Sequence, residues 1–592
     1  MLNSARSCML VVLIICLGFC SCGGRQEGNT GTPPPGALGI QTAALPAGAL
    51  GSSYSATLLA ANGTPPYRWA LVSGGLPPGL SLAESGQISG TPTQSGNYTF
   101  AVRVTDFRSQ SAQSSLTLAI STAGSAQVTF NIDPNTTLQV WRALGGLATG
   151  LKRDQSVPPC SAIPLTLVDA MLDDLVNGLG MTSLRTGSTP SQAIEATAND
   201  NDDPHVRVQS VFDTGFDSTA SDVCSNHPRN ELITPMIVPF RSKVLANGEP
   251  FELHISFDYR DPSQMPPWWQ ADPEEGAEAV EAYWVWFQSH YGFSPDWFTI
   301  NEPNGNFFSP NYMGPYVAAI GRRFPLLGAN SKMETPTPAS VTSGPSMTDT
   351  VNSTPGAMQF VGRLAYHGYD YFGLWPSASG ITARNDMRAR GAALGKELAM
   401  TEVCCKSGWD GRYAQGLDQV RDLYLNVVEG RVSYWEPLSA IGVCSTTACV
   451  VSSGSVNNFI NVSSDLSTYF LQPSYWVMRQ FSRYVRPGYV RVAVTCTGCT
   501  MTSDRGPDVK ALAWKRPNGS MVVNVVNDAG SPVTISLNGL PSGTYEISKL
   551  DPTLCASSGG KNRCTPQTTM TALGSGFTLS LPQDAVWTLS QR

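Results

Sequence analysis

The sequence is short of charge. Asp, Glu, Lys and Arg make up 14 % of it, and acids outnumber bases to leave a formal net charge of −7. Without a basic surplus, nucleic acid or another polyanion is not expected as a partner. Histidine is scarce too, with five in the chain. No His-x-x-His or paired Cys-x-x-Cys frame supplies the ligand spacing of a zinc site, and no metal or other cofactor is expected. Long apolar runs are also missing. The one near the start, MLVVLIICLGF after Arg6, is too short to cross a bilayer as a permanent helix. It reads as the core of an export signal, and it runs into Cys20-Ser21-Cys22-Gly23-Gly24, which resembles a bacterial lipobox. Cys22, preceded by the small Ser21, is expected as the lipidated residue, with Cys20 as the alternative and an ordinary cleaved signal as the other reading. Either way the chain is exported, lipid-anchored to the bacterial outer membrane or cell surface, or secreted, and it touches the membrane through that lipid only.

What is present fits that compartment. Of 14 cysteines, those outside the signal form an even set suited to disulfides in an oxidising space. Local pairing suggests Cys496 with Cys499 and Cys555 with Cys564. Cys160 with Cys224, and the adjacent Cys404 and Cys405 with Cys444 and Cys449, are candidates to join loops, in a connectivity the sequence does not fix. With 56 Gly and 43 Pro against 41 % hydrophobic residues, the chain is globular and rich in turns and β structure.

The length allows two or three domains. Residues 1–22 are the signal and 23–38 a Gly/Pro/Thr linker without core-forming capacity. Residues 39–121 alternate short strands such as YSATLLA and YTFAVRVTD with turn clusters GTPPY and GGLPPG, which predicts a compact β module. From about 139 strands alternate with helices. The candidates are QVWRALGG, LGMTSLRT, FELHISFDY, DWFTINE, SKMETPT, GRLAYHGY, KELAMTE and RVSYWEP, eight in all, the count of a (β/α)8 TIM barrel over 126–487. In the helix PEEGAEAVEAYWVWFQSHY, Val280, Tyr283, Trp284 and Phe287 fall on one face. The stretch 187–250 reads as a long polar loop on the cleft side. Residues 488–592 return to alternating strands and predict an antiparallel β-sandwich, which 126–138 can join.

In such a barrel functional side chains project from the C-terminal strand ends. Strand four ends in Asn301-Glu302-Pro303 and strand seven in Thr401-Glu402-Val403. Two carboxylates over one cleft are what glycoside hydrolysis requires, one as a proton donor and one as a nucleophile. Close placement, about 5 Å, is the spacing of retention. Asn301 is placed to bond a sugar 2-hydroxyl, and Arg185 to hold the nucleophile ionised. His367 and Tyr369 end strand six, Trp435 ends strand eight as a candidate sugar floor, and Asp258, Trp268 and Trp269 follow strand three. Ten of the 13 tryptophans lie between 126 and 487, either as a sugar-stacking cleft or as core. Arg185 also reads as a rim salt bridge, and His367 and Trp435 as packing.

At these residues the chain resembles glycoside hydrolase family 30 of clan A. The resemblance rests on LGMTSLRT, HISFDYRDPSQMPPWW, TINEP, AYHGY, AMTEVC, SYWEPLS and QFSRYVRPGYVRV, and covers about 126–592. The run LPPGLSL…GQISGTPTQSGNYTFAVRVTD resembles bacterial Ig-like (cadherin-like) modules, which implies an Ig-like β-sandwich over 39–121. The family resemblance implies a retaining β-glycosidase, Glu302 as acid/base and Glu402 as nucleophile. It further implies a β-linked oligo- or polysaccharide or glycoconjugate as substrate, and a monomer is expected. The sequence departs from the family at LQVWRALGG, at Gly368 where an aromatic is frequent, and in the 187–250 insertion, which leaves the sugar open. The alternatives are a non-catalytic carbohydrate-binding surface lipoprotein and a retaining enzyme of another clan A family.

Overall fold

The structure is a computed structural model. It describes residues 37–42, 45, 48–50, 54–121, 127–146, 164–186, 200–201, 203–220, 236–257, 267–268, 272–300, 310–327, 332–369, 378–403, 413–437, 440–443, 458–502, 506–558, 561–573 and 576–592. The chain forms two compact units, Met1–Thr122 and Ala123–Arg592.

The first unit is a β module of two larger sheets and a short two-stranded one, Gly39–Ile40 with Ala60–Ala61. One larger sheet holds Gly48–Ala49, Ser111–Ser121, Gly96–Thr105 and Arg68–Gly74, the other Tyr54–Thr57, Gln87–Gly90 and Leu80–Leu82. Alternation decides what is inside. Phe100, Val102 and Val104 on one strand and Leu116, Leu118 and Ile120 on the next are buried with Trp69 and Ile88. Each such side chain contributes about 1.5–3 kcal/mol by leaving water.

The second unit joins a nine-stranded sheet to a barrel. The segment Gln127–Val140 lies within the sheet, antiparallel to Val490–Thr497 and parallel to Val533–Asn538, so one pair departs from the expected antiparallel pattern. Ile547 and Ile535, from opposite halves of the sheet, share one apolar cluster, so the sheet folds over on itself as a sandwich. The strand Met521–Asn527 is buried along its length. Its Val523 and Val525 face that cluster, and its Val522 and Val526 belong to the barrel's. Trp514 completes the joint, with its ring 5.7 Å from Trp141 and 5.6 Å from Phe481, edge to face. Asp528 clamps the same joint by accepting from Arg421 Nε at 2.7 Å and Lys510 Nζ at 3.1 Å.

The barrel strands, all eight where the sequence predicts them, are β1 Ala143–Leu144, β2 Ser183–Thr186, β3 Glu252–Phe257, β4 Trp297–Ile300, β5 Lys332–Glu334, β6 Val361–His367, β7 Glu397–Glu402 and β8 Tyr434–Trp435. Each is parallel to its neighbours. β1 and β2 close the ring through Thr182 N–H to Leu144 C=O at 3.3 Å and Arg185 N–H to Gly146 C=O at 3.1 Å. The helix Pro273–Tyr291 starts where the Asp272 carboxylate accepts from Glu274 N–H at 2.9 Å and stops at Gly292, with φ 73°. Its predicted face, Val280, Tyr283, Trp284 and Phe287, is buried against the barrel.

The stretch 187–250 is not simply a loop. It holds the helices Gln209–Ala220 and Val238–Ala246. Phe212 with Phe216 and Phe240 with Val244, each pair one helical turn apart, anchor them in the barrel core. Met236 and Ile237, just before the second helix, are buried in the same core. Of the expected disulfides, Cys496–Cys499 and Cys555–Cys564 are bonded. The other six cysteines lie outside the described residues, as does Cys22.

Candidate active site

Strand ends deliver the site. On strict alternation Ala399 and Thr401 would face the bore and Glu402 would point away. The β6–β7 register instead shifts, from Tyr366 opposite Met400 to His367 opposite Glu402, with Thr401 as the extra residue. This bulge re-aims Glu402 to the side that carries His367.

Glu402 then meets groups from two other strands. Its Oε2 accepts from Arg185 Nη2 at 2.9 Å and its Oε1 from the Tyr369 hydroxyl at 3.1 Å, with His367 Nδ1 at 4.0 Å. Arg185 and His367 are buried, while the Glu402 side chain keeps 17 % of its surface open. Burial alone would raise the Glu402 carboxyl, but nearby positive charge and the two hydrogen bonds hold it below the ordinary carboxylate value. Burial pushes His367 down to about 4. At neutral pH the imidazole is therefore uncharged, and the cation acting on Glu402 is Arg185. Arg185 thus does lie against the expected nucleophile.

Glu436 is the residue that sequence reasoning missed. It is fully buried, accepts from Arg185 Nε at 2.9 Å and from the Tyr434 hydroxyl at 2.6 Å, and burial raises its carboxyl. The signal was in SYWEP. Tyr434 and Glu436 are two apart and share the bore face, which turns Trp435 outward.

That register corrects the expectation for Trp435. Its indole is fully buried in the barrel's apolar shell and donates to Asp422 Oδ2 at 2.9 Å, so no ring face is open to a sugar. Trp141, Trp284, Trp286 and Trp514 are likewise core. Trp268 is half-buried against the same shell. Asn301 and Glu302, which follow the last residue of β4 in sequence, and Asp258, which follows β3, lie outside the described residues. The glycine that replaces an aromatic at 368 has a local cause. A Cβ there would lie 3.2 Å from Asp422 Oδ1 and 3.2 Å from Val403 Cβ, leaving no room for a ring in that direction.

Beneath this level the bore is ionic. Arg363 donates to Glu334 at 2.8 Å and Glu252 at 3.3 Å, and His254 lies 3.0 Å from Glu334. The Arg363 guanidinium lies over Trp297 at 3.9 Å and Tyr434 at 4.4 Å. Tyr434 therefore belongs to both levels. No group of His, Cys, Asp and Glu among the described residues is arranged to hold a metal ion.

Chemically, the arrangement offers an ionised, partly open carboxylate at a parallel-barrel strand end, oriented by an arginine and a tyrosine. Comparison with known proteins agrees with the fold that presents it. Residues 490–589 match the glycosyl hydrolase family 30 beta sandwich domain, and residues 37–121 match the Putative Ig domain. No curated protein matches the chain. Among solved structures it is similar to the catalytic domain of a family 30 xylanase C from Talaromyces cellulolyticus, with TM-score 0.56, 17% identity, and 78% of this chain and 100% of that one covered. A family 30 subfamily 8 xylanase from Clostridium acetobutylicum gives TM-score 0.51 at 16% identity over 79% of this chain and 100% of that one. A family 51 alpha-L-arabinofuranosidase from Thermotoga petrophila gives 0.53 at 10% identity over 78% and 100%. The chain thus carries a family 30 beta sandwich domain behind a barrel of the fold these glycoside hydrolases share, with an Ig domain before both in sequence.

Proposed function

We propose that this chain is a retaining β-glycoside hydrolase acting on a β-linked polysaccharide or glycoconjugate. The observation that carries the reading is Glu402, re-aimed by the β7 bulge and held ionised between Arg185 and Tyr369. In the first step a Glu402 oxygen attacks the anomeric carbon. The glycosidic C–O bond breaks as Glu302, which follows β4 in sequence, gives its proton to the leaving oxygen. In the second step Glu302 takes a proton from water, whose oxygen displaces Glu402 and restores the carboxylate. Tyr369 positions Glu402 through Oε1, Asn301 binds the 2-hydroxyl, and Asp258 and Trp268 contact sugar beyond the cleaved bond. The family 30 beta sandwich domain favours that family over the family 51 likeness.

Export, with lipid attached at Cys22, belongs to the same reading, and the disulfides Cys496–Cys499 and Cys555–Cys564 support an oxidising compartment. Hydrolysis of a panel of aryl β-glycosides and β-linked polysaccharides tests the proposal. Wild type should release product with retained anomeric configuration. Glu402→Gln should lose at least about 10³-fold in kcat, and azide should rescue a small residue at that position, the mark of a nucleophile. Wild type inert on every β-linked substrate, with binding intact, would leave the carbohydrate-binding alternative.

A further inference from the structure

Resting on the proposed glycosidase reading, we infer that Glu436 is a positioning residue for the nucleophile, acting through Arg185, whose guanidinium it shares with Glu402. Its carboxylate and that of Glu402 occupy one edge of the guanidinium. Glu436 takes Nε at 2.9 Å and Glu402 takes Nη2 at 2.9 Å. Those two donors form the edge that a single carboxylate ordinarily takes in a two-bond fork. Divided in this way, Arg185 gives Glu402 one bond through that edge. The second Glu402 oxygen turns to Tyr369.

The division has a chemical consequence. A nucleophilic carboxylate must stay ionised, yet a full fork with arginine would stabilise that charge so strongly that its attack on carbon would slow. Glu436 divides the cation's attraction, so Glu402 stays ionised without being neutralised. A buried carboxylate is costly to keep unless paired. Glu436 is retained here by Arg185 on one oxygen and Tyr434 on the other. Tyr434 is itself held by the Arg363 guanidinium below it and by Ser183 Oγ at 3.3 Å. The support is therefore rigid and reaches across β2, β6 and β8.

The other ionisable groups that act on the two carboxylates, among the described residues, are Arg185 on β2, His254 on β3, His367 and Tyr369 at the end of β6, and Tyr434 on β8, with Glu334 on β5 acting in turn on His367 and Tyr434. Substitution at 436 acts directly on Arg185 and Tyr434, which donate to Glu436, and leaves the other side chains in place. Glu436→Gln keeps an oxygen for Arg185 Nε but removes the competing charge. Glu436→Met removes both and frees the edge for a full fork with Glu402. In both variants Glu402 should titrate lower than in wild type, by about one pH unit for Gln and more for Met. Glycosylation should slow about tenfold in kcat with KM little changed, a change that loss of packing alone would not produce together with a downward titration.

The Glu402 midpoint is read directly by 13C NMR of full-length protein labelled at glutamate Cδ, assigned by the resonance missing in Glu402→Gln. That titration needs no turnover. A midpoint unmoved in whichever variant folds, judged by far-ultraviolet circular dichroism, overturns the inference. Wild type that fails to hydrolyse any β-glycoside overturns the function instead, whatever the midpoint does.

Discussion

Arg363→Met is the sharpest test of how the barrel is held together. Arg363 and Glu334 are both fully buried, 2.8 Å apart, on adjacent strands β6 and β5. Burial alone would raise Glu334, but the charges of Arg363 and His254 bring it from 4.5 to about 2. At about 1.4 kcal/mol per pH unit, that drop corresponds to about 3 kcal/mol of stability. A second route gives the same size, since removing one partner of a buried ion pair costs about 3–5 kcal/mol. Because the folded value is depressed, this contribution is present above the unfolded value of 4.5 and is lost as pH falls towards about 2. Arg363→Met should therefore destabilise the barrel by about 3 kcal/mol at pH 7, lowering Tm by on the order of 5 °C. Towards pH 3 the gap should shrink as wild type loses the same term. Arg363→Met with Glu334→Gln should be less costly than the sum of the two singly. Differential scanning calorimetry at pH 7 and pH 3 reads all three. A loss below about 1 kcal/mol at pH 7, or a gap that stays constant to pH 3, would show that Arg363 is not what holds Glu334 ionised.

Two further outcomes follow from the same contacts. Arg185→Met should raise Glu402 by about 1–3 pH units, moving the acid limb of kcat/KM upward by as much, whereas Arg185→Lys should restore part of the shift without the geometry. An acid limb that stays put in Arg185→Met would refute the assignment. Gly180→Ala should destabilise the unit by at least about 1–3 kcal/mol in thermal melts. The residue sits at φ 92°, and a Cβ there would lie 2.0 Å from Arg486 Nη1 and 2.6 Å from the Ser482 carbonyl oxygen, so strain and collision add.

Much of this architecture is legible in the sequence, and what is not has identifiable physical causes. The eight strands show as short apolar runs between helical stretches because each is covered by helices outside. Phe212, Phe216, Phe240 and Val244 were hidden because they lie scattered through a stretch rich in polar residues. Arg185 beside Glu402 followed from strand order alone. The orientation of Glu402 did not, since an extra residue at Thr401 reverses the alternation, and such an offset exists only in the pairing with β6. Trp435 failed in the opposite way. Its strand keeps strict alternation, and counting by two from Tyr434 would have placed Glu436 in the bore and the indole outside.

The charged bore shows why these details cohere. Barrel interiors are ordinarily packed by branched apolar side chains in layers. Here Ala143, Ala365, Ala399 and Tyr434 form a small apolar cluster of their own, three of them too small to fill the bore. The space they leave is taken by long polar side chains that must pair to remain buried. Arg363 needs Glu334 and Glu252, and its face rests on Tyr434. Tyr434 needs a hydroxyl partner and finds Glu436. Glu436 needs a cation and finds Arg185, whose next bond is to Glu402. Each pairing satisfies the buried group before it, and the last group in the chain is the one whose charge the proposed chemistry uses. Disturbing Arg363 should therefore reach Glu402 through Tyr434 and Glu436, as a loss of orientation as well as of stability.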